Sequence, residues 1–265
     1  MKLSLAYSLN INTVCLTPTY PTATCSMSSP SPIALFGLAP LPASAAALTP
    51  STPTPPTFTA GSLTPPTSEL AKRVAAYAKS HLPWQTLNHS YRVFAYGCAI
   101  ARGCFPDWGL EKGGKLEETW FCTALLHDAG TVPGTLEGTA LSYEFWAGVE
   151  ALRLLPESGA ETMQAESVAE AIFRHQDVQD KGLISLMTML IQLGTLLDNV
   201  GAEARLGSKA TVENVNREWG REGWSGCFEG TVRREKEVKP YAMVSRIEGF
   251  EEMIRGNEAT MTKEG

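Results

Sequence analysis

From Leu63 onward the apolar positions recur every three or four residues, the spacing of one helix face, and no alternating run is long enough for a strand. The pattern predicts an all-α fold, a helical bundle. A first helix opens after Pro65 and Pro66, with Thr67 as N-cap, Glu69 in its first turn and Leu70, Val74 and Tyr77 on its inner face. A second runs from about 83 to 101 and carries His89. A third ends at His127 and Asp128, in the stretch TALLHDAGT. Ser142 is placed to cap a fourth, which Pro156 terminates because a proline ring cannot continue a helix. A fifth covers about 161–176, with Ala165, Val168, Ala169 and Ile172 facing inward. A sixth, 183–200, is apolar nearly all round, which makes it the central helix. Past Gly201 the periodicity fades. Trp219, Trp224 and Phe228 stand among glycines and read as a packed irregular segment, and a last helix is expected at about 244–255.

The first 62 residues break this pattern. They are rich in Pro, Ser and Thr, Lys2 is their one basic residue, and no acidic residue precedes Glu69. Such a segment buries too little apolar surface to offset its ordering entropy. The expected organisation is a disordered extension over 1–62, a helical domain over 63–256 and a flexible tail over 257–265. The extension has no Arg, unlike a mitochondrial presequence, and LSLAYSLNI is short for a secretory signal. The expectation is a cytoplasmic protein, with organelle targeting by the extension as the alternative.

Composition narrows the function. The chain has 265 residues, 43% of them hydrophobic, enough for a full core. A net charge of −6 argues against a general nucleic-acid binder, since no basic field would neutralise phosphates. No apolar run approaches the roughly 20 residues of a membrane span. Six cysteines, at 15, 25, 98, 104, 122 and 227, form no CxxC pair and read as buried thiols of a reducing compartment.

Several polar residues interrupt otherwise apolar helices: His89, His127, Asp128, His175 and Asp198. Buried His and Asp are costly unless paired or bound to a metal, and together they are what a first-row divalent ion takes. Neighbours on a helix point about 100° apart, so His127 and Asp128 can share an ion lying in the sector between them. Gln192, Thr195 and Asn199 share one face of the sixth helix, and Asp198 borders it. A polar stripe on so apolar a helix reads as a pocket wall. The one remaining histidine, His81, is expected to be structural or exposed. Signatures for dinucleotides, P-loop phosphates, the GxSxG elbow and HExxH zinc are absent.

The order His89, His127-Asp128, Asp198 is that of the HD superfamily of metal-dependent, mostly helical hydrolases. NHSYRVF, ALLHDAGT, SYEFWAGVEAL, AEAIFRHQDV, LIQLGTLLDNVGA and GTVRREKEVKP together resemble the fungal cyanamide hydratases, over about residues 63–246. The resemblance implies a metal set of His89, His127, Asp128 and Asp198 holding zinc, with Fe2+ as the other metal considered. It places His175 and Thr195 in the substrate pocket and implies addition of water to the nitrile carbon of cyanamide, giving urea.

On that reading Asp128 also holds the water's proton, and His175 donates or passes a proton to the nitrile nitrogen. Thr195 meets the amine or orients the water, while Gln192 and Asn199 stand behind the pocket. Arg174 and Asp177 flank His175 and either set its tautomer or are surface charges. Two departures stand out: YAMVSRI after Pro240, where family members are aromatic and histidine-rich, and GGKLEE, expected as a loop insertion. The competing reading is a nucleotide phosphohydrolase. It needs a basic phosphate cradle, for which Arg92 is the nearby residue, unless Arg92 braces a carboxylate instead. A non-catalytic relative is the third reading, and the intact polar set counts against it. The expected partner is a small nitrile, with no nucleic acid and no membrane; a homo-oligomer is allowed.

Overall fold

In the computed structural model, which describes residues 31–257 and 260, the helices form an all-α arrangement with one small antiparallel ladder, which takes residues 183–185 from the start of the expected sixth helix. The helices are α1 (Pro32–Leu35), α2 (Glu69–His81), α3 (Trp84–Cys104), α4 (Lys115–Leu126), α5 (Pro133–Gly138) and α6 (Tyr143–Glu157). They continue with α7 (Thr162–Arg174), α8 (Leu186–Val200), α9 (Lys209–Glu218), α10 (Trp224–Val238) and α11 (Phe250–Arg255). The ladder pairs β1 (Pro40–Pro42) with β2 (Leu183–Ser185).

Helix α8 is central, as its apolar circumference predicts: α3, α4, α7 and α11 all pack on it. Ser185 caps it, accepting the Thr188 N–H at 3.0 Å, and Gly201 ends it with φ 69°, a left-handed conformation that glycine adopts without a Cβ clash. The main apolar core surrounds α3, α4, α7 and α8. A second cluster, built on Tyr143, Trp224, Phe228, Val244 and Phe250, lies beneath α10 and α11. The face of His89 joins it by stacking on Trp224.

Several expectations are corrected. The part of the extension over 31–62 is not disordered but runs over the helices as a strap. Phe36 is buried, and its carbonyl accepts from Ser167 at 2.6 Å. Leu41 pairs with Ile184 in the ladder, Ser51 N–H donates to Cys104 O at 2.7 Å, and Phe58 N–H donates to Thr211 at 2.9 Å. An extended proline-rich segment with few charges and scattered apolar anchors can dock without any periodicity. The expectations for 1–30 lie outside the described residues.

At the other end, Asn257 and Thr260 are buried and donate to the Asp198 carbonyl at 2.9 and 3.4 Å. The last carbonyls of a helix lack intrahelical partners, so α8 draws the chain beyond 256 back onto itself. The rest of the expected tail lies outside the described residues.

The segment after Gly201 is helical, as α9 and α10. Its inner positions, Val212 and Val215, then Trp224, Phe228 and Val232, keep helical spacing but are diluted by charge and glycine. The expected last helix is split into a turn over Met243–Arg246 and α11. In GGKLEE only the glycines are loop. Lys115 opens α4, Glu117 pairs with Arg102, and Glu118 accepts from Gln164 at 2.9 Å, carboxylates being favoured at a helix N-terminus. Ser68, not Thr67, caps α2, accepting from Ala71 N–H at 3.2 Å. Ser142 does precede α6, but its hydroxyl accepts from Met243 N–H instead of capping. Pro156 sits within the final turn of α6, which runs on to Glu157. No described helix is long and apolar enough to cross a membrane.

Candidate metal centre

His127 closes α4 with helical backbone angles, and Asp128 then leaves the helix at φ −100°, ψ 14°. A turn over Ala129–Thr131 follows. Gly130 is required there by proximity: a Cβ on it would stand 2.1 Å from the Tyr143 carbonyl oxygen, because the first turn of α6 lies directly on it. His81 grips the same turn, donating from Nε2 to Ala129 O at 3.1 Å and stacking on Tyr77 and Trp146, so its role is structural. The turn folds Asp128 back toward its neighbour. Its Oδ2 lies 3.3 Å from His127 Nε2 and 3.6 Å from His89 Nε2, and the two Nε2 atoms are 3.2 Å apart. All three side chains are buried.

The tautomers follow from the other ring nitrogens. His89 Nδ1 lies 2.6 Å from Asp198 Oδ2, and His127 Nδ1 lies 2.8 Å from Ala124 O. Each of these partners only accepts, so each Nδ1 carries the hydrogen and each Nε2 presents a lone pair. Neither oxygen of Asp128 has a hydrogen-bond partner. Three buried acceptors therefore face one another within 4.8 Å, an arrangement that calls for positive charge among them. Two imidazoles and one carboxylate suit a first-row divalent ion with a position left open. Burial pushes the His127 imidazole down, but the adjacent Asp128 charge overcomes this and leaves it above its ordinary value. Burial pushes Asp128 up, and the three neighbouring imidazoles outweigh it and hold the carboxyl at about 2.

Asp198 stands one step behind this cluster. Arg92 grips it through Nε to Oδ1 at 2.9 Å and a terminal nitrogen to Oδ2 at 2.8 Å, and Oδ2 also receives the His89 N–H. Asp198 thus orients His89, the arrangement in which a carboxylate fixes the ring and tautomer of a ligating histidine. Arg92 completes its fork on Gly220 O at 2.7 Å and Trp219 O at 3.2 Å. It braces a carboxylate, and four of its five N–H donors are committed to Asp198, Trp219 and Gly220. Trp224 stacks on His89 with centroids 4.1 Å apart, and Asn199 Oδ1 accepts its indole N–H at 3.0 Å.

His175 caps α7 and sets its ring edge against His127, centroids 5.2 Å apart at 88°. Its Nδ1–H donates to Ile172 O at 2.8 Å, so Ile172 fixes the tautomer. Arg174 and Asp177 instead pair with each other and with Glu170 and Arg246. Burial, joined by His127, pushes His175 down to about 4. At neutral pH it is an uncharged ring offering a lone pair at Nε2, an acceptor until it has first taken a proton. The Thr195 hydroxyl donates to Ile191 O of its own helix at 2.8 Å. Gln192 donates to Arg174 O at 2.9 Å and lines a cleft of about 300 Å3 with Ala43, Ser44, Gln179 and Asp180. No hydrogen bond joins Thr195, Gln192 or Asn199 to the three-residue cluster. Within YAMVSRI, Ala242 and Val244 are buried in the second core, and Tyr241 donates to Ala140 O at 2.9 Å.

Two residues that the polar pattern does not flag complete the surroundings. The Tyr143 hydroxyl lies 3.4 Å from His175 Nε2 and accepts from the Gln176 amide. Glu144, beside it, is fully buried, neither of its oxygens is bonded, and burial pushes its carboxyl up to about 8. Both sit in YEFWAG, where an aromatic reads as core. The lone acidic residue in that apolar run was the available signal.

No family model matches the chain. Two curated relatives from Saccharomyces cerevisiae, cyanamide hydratase DDI2 and cyanamide hydratase DDI3, are each 37% identical to it over 184 residues. The matched stretch is 69% of this chain and 80% of each relative.

Proposed function

The chain belongs to the cyanamide hydratase family, and from that premise we propose that it hydrates cyanamide to urea at a metal held by His89, His127 and Asp128. The observation that carries this reading is the convergence of two Nε2 lone pairs and an unpaired carboxylate in one buried place. Zinc fits the nitrogen and oxygen donor set, with Fe2+ as the other metal these donors accept. A bound zinc ion supplies hydroxide near neutral pH by lowering the pKa of its water to about 7, which a nitrile, a poor electrophile, needs.

The protein's own groups do the rest. Asp198 and Arg92 hold His89 at a fixed tautomer. A carboxylate oxygen of Asp128 accepts a hydrogen bond from the attacking water and orients it. His175, neutral and with Nε2 open, takes the proton released as the carbon–oxygen bond forms. Thr195 has its hydrogen committed to Ile191, so it meets the cyanamide amine as an acceptor. Gln192 and Asn199 hold the frame, the first by tying α8 to the chain around His175, the second by fixing Trp224 on His89.

The test compares purified, chelator-treated and zinc-reconstituted protein for urea production from cyanamide, beside a panel of nitriles and nucleotides. Urea formation that disappears with the metal and returns with zinc is expected. Protein that holds metal but leaves cyanamide untouched would overturn the substrate, and full activity without metal would overturn the site. Nucleotides are expected to remain intact, because Arg92 is committed to Asp198.

A further inference from the structure

Hydration of a nitrile needs a donor for the nitrogen that becomes negative, and the hydrogens around the centre are nearly all spoken for. Arg92 gives its own to Asp198, Trp219 and Gly220, and the terminal nitrogens of Arg221 donate to Asp198 O and Ser225, while its unbonded Nε faces Asp198 Oδ1 at 3.6 Å, behind the cluster. Trp224 donates to Asn199 and Thr195 to Ile191. The three histidines each spend their Nδ1–H on an acceptor outside the cluster. Tyr143 differs. Its buried hydroxyl receives the Gln176 amide, so its own hydrogen is left to point elsewhere. Apart from the unpartnered Oε1 of Gln176 itself, the acceptor beside it is His175 Nε2, at 3.4 Å, a loose contact. The rings of His89, His127, His175 and Tyr143 form a continuous series with centroids 5.2, 5.2 and 5.8 Å apart. The Tyr143 backbone is locked onto the turn after Asp128 by its close approach to Gly130, and its N–H is held by Glu235 at 2.8 Å.

We propose that the Tyr143 hydroxyl is the catalytic group that protonates the nitrile nitrogen, aimed by Gln176 as a positioning residue; the assignment rests on the hydratase reading above. The water oxygen bonds to the nitrile carbon while its proton passes to His175 Nε2. One π pair of the carbon–nitrogen triple bond moves onto nitrogen, which takes the Tyr143 proton. The phenolate is then refilled from His175. One water is consumed, nothing is oxidised or reduced, both residues end as they began, and the isourea formed tautomerises to urea. Burial and the Asp128 charge push the Tyr143 hydroxyl well above its ordinary value, so it remains a donor until a strongly basic imidate appears.

The experiment measures cyanamide kinetics, bound metal and melting temperature for wild type, Tyr143→Phe, Gln176→Leu and the double variant. Tyr143→Phe is expected to lower kcat about 10²-fold, with KM, metal content and melting nearly unchanged. Gln176→Leu is expected to lower kcat about tenfold alone and to add nothing in the Phe background. Tyr143→Phe within about threefold of wild type overturns the assignment, as does a Gln176 effect equal in both backgrounds or a kcat loss that follows lost metal. If Tyr143→Phe does not fold, 3-fluorotyrosine at 143 keeps the shape with a more acidic phenol; it is expected to change kcat and the pH profile, and no change overturns the proposal. Wild type that carries metal yet leaves cyanamide untouched overturns the hydratase reading and this one together. Active wild type with an equally active Tyr143→Phe overturns the tyrosine alone.

Discussion

Replacing Arg92 by Met should cost the protein most of its stability. Both Arg92 and Asp198 are completely buried, and the guanidinium donates to both carboxylate oxygens and to two backbone carbonyls. Removing one partner of a buried pair costs about 3–5 kcal/mol, because the other charge is left without solvent or counter-ion. The orphaned Trp219 and Gly220 carbonyls add about 1 kcal/mol each. The total, about 5–7 kcal/mol, matches the entire stability of a weak domain. Asp198→Asn alone strands the guanidinium and should cost a comparable amount.

The double variant Arg92→Met, Asp198→Asn removes both charges and retains an oxygen for the His89 N–H. It should therefore be more stable than Arg92→Met by about 2–4 kcal/mol, a strong non-additivity. Denaturant unfolding of the four proteins at neutral pH reads this directly. Additive losses, or an Arg92→Met penalty near 1 kcal/mol, would show that Asp198 is not held as described.

Other consequences are open to measurement. Glu144 has its folded carboxyl raised to about 8, so its contribution to stability is whole below the unfolded value near 4.5 and is lost as pH rises toward 8. Glu144→Gln should flatten that decline, by about 1.4 kcal/mol per pH unit at most, in unfolding curves taken at several pH values, and parallel curves would contradict it. His175→Gln should lower kcat about 10²–10⁴-fold while elemental analysis finds the metal still bound. The Arg92→Met, Asp198→Asn double variant, which leaves no stranded guanidinium, should weaken metal binding about 10–100-fold in a competitive chelator titration, since it replaces the carboxylate that holds the His89 Nδ1–H. Gly130→Ala drives a methyl into the Tyr143 carbonyl and should cost about 1–3 kcal/mol in unfolding, together with activity.

Helices α2, α3, α4, α6, α7 and α8 were legible from helical spacing of their apolar residues, or in α8 from an apolar circumference, whereas the six-residue α5 is too short to show a period. Helices α9 and α10 were not, since their inner faces are narrow and interrupted by glycine and charge. The docked strap over 31–62 was hidden for another reason: extended backbone held by single anchors such as Phe36 leaves no repeat to read. At the site, His89, His127 and Asp128 announced themselves as costly polar groups in apolar surroundings. For Asp198 the cost was equally visible, but its creditor was not. A sequence does not tell whether a carboxylate meets an ion or the far nitrogen of the imidazole in front of it, although Arg92 one turn after His89 was the hint. Tyr143 stayed silent because a buried aromatic on an apolar helix is indistinguishable from core until its hydroxyl is located. The donor role expected of His175 changed once Ile172 was found holding its hydrogen.

The central claim is that His89, His127 and Asp128 hold the ion on which activity depends. Elemental analysis alongside urea production, for wild type, His127→Ala and Asp128→Asn, tests it most directly. One zinc or iron per wild-type chain, little metal in either variant, and urea formation that tracks the metal are predicted. A His127→Ala protein with full metal and full activity would contradict the account.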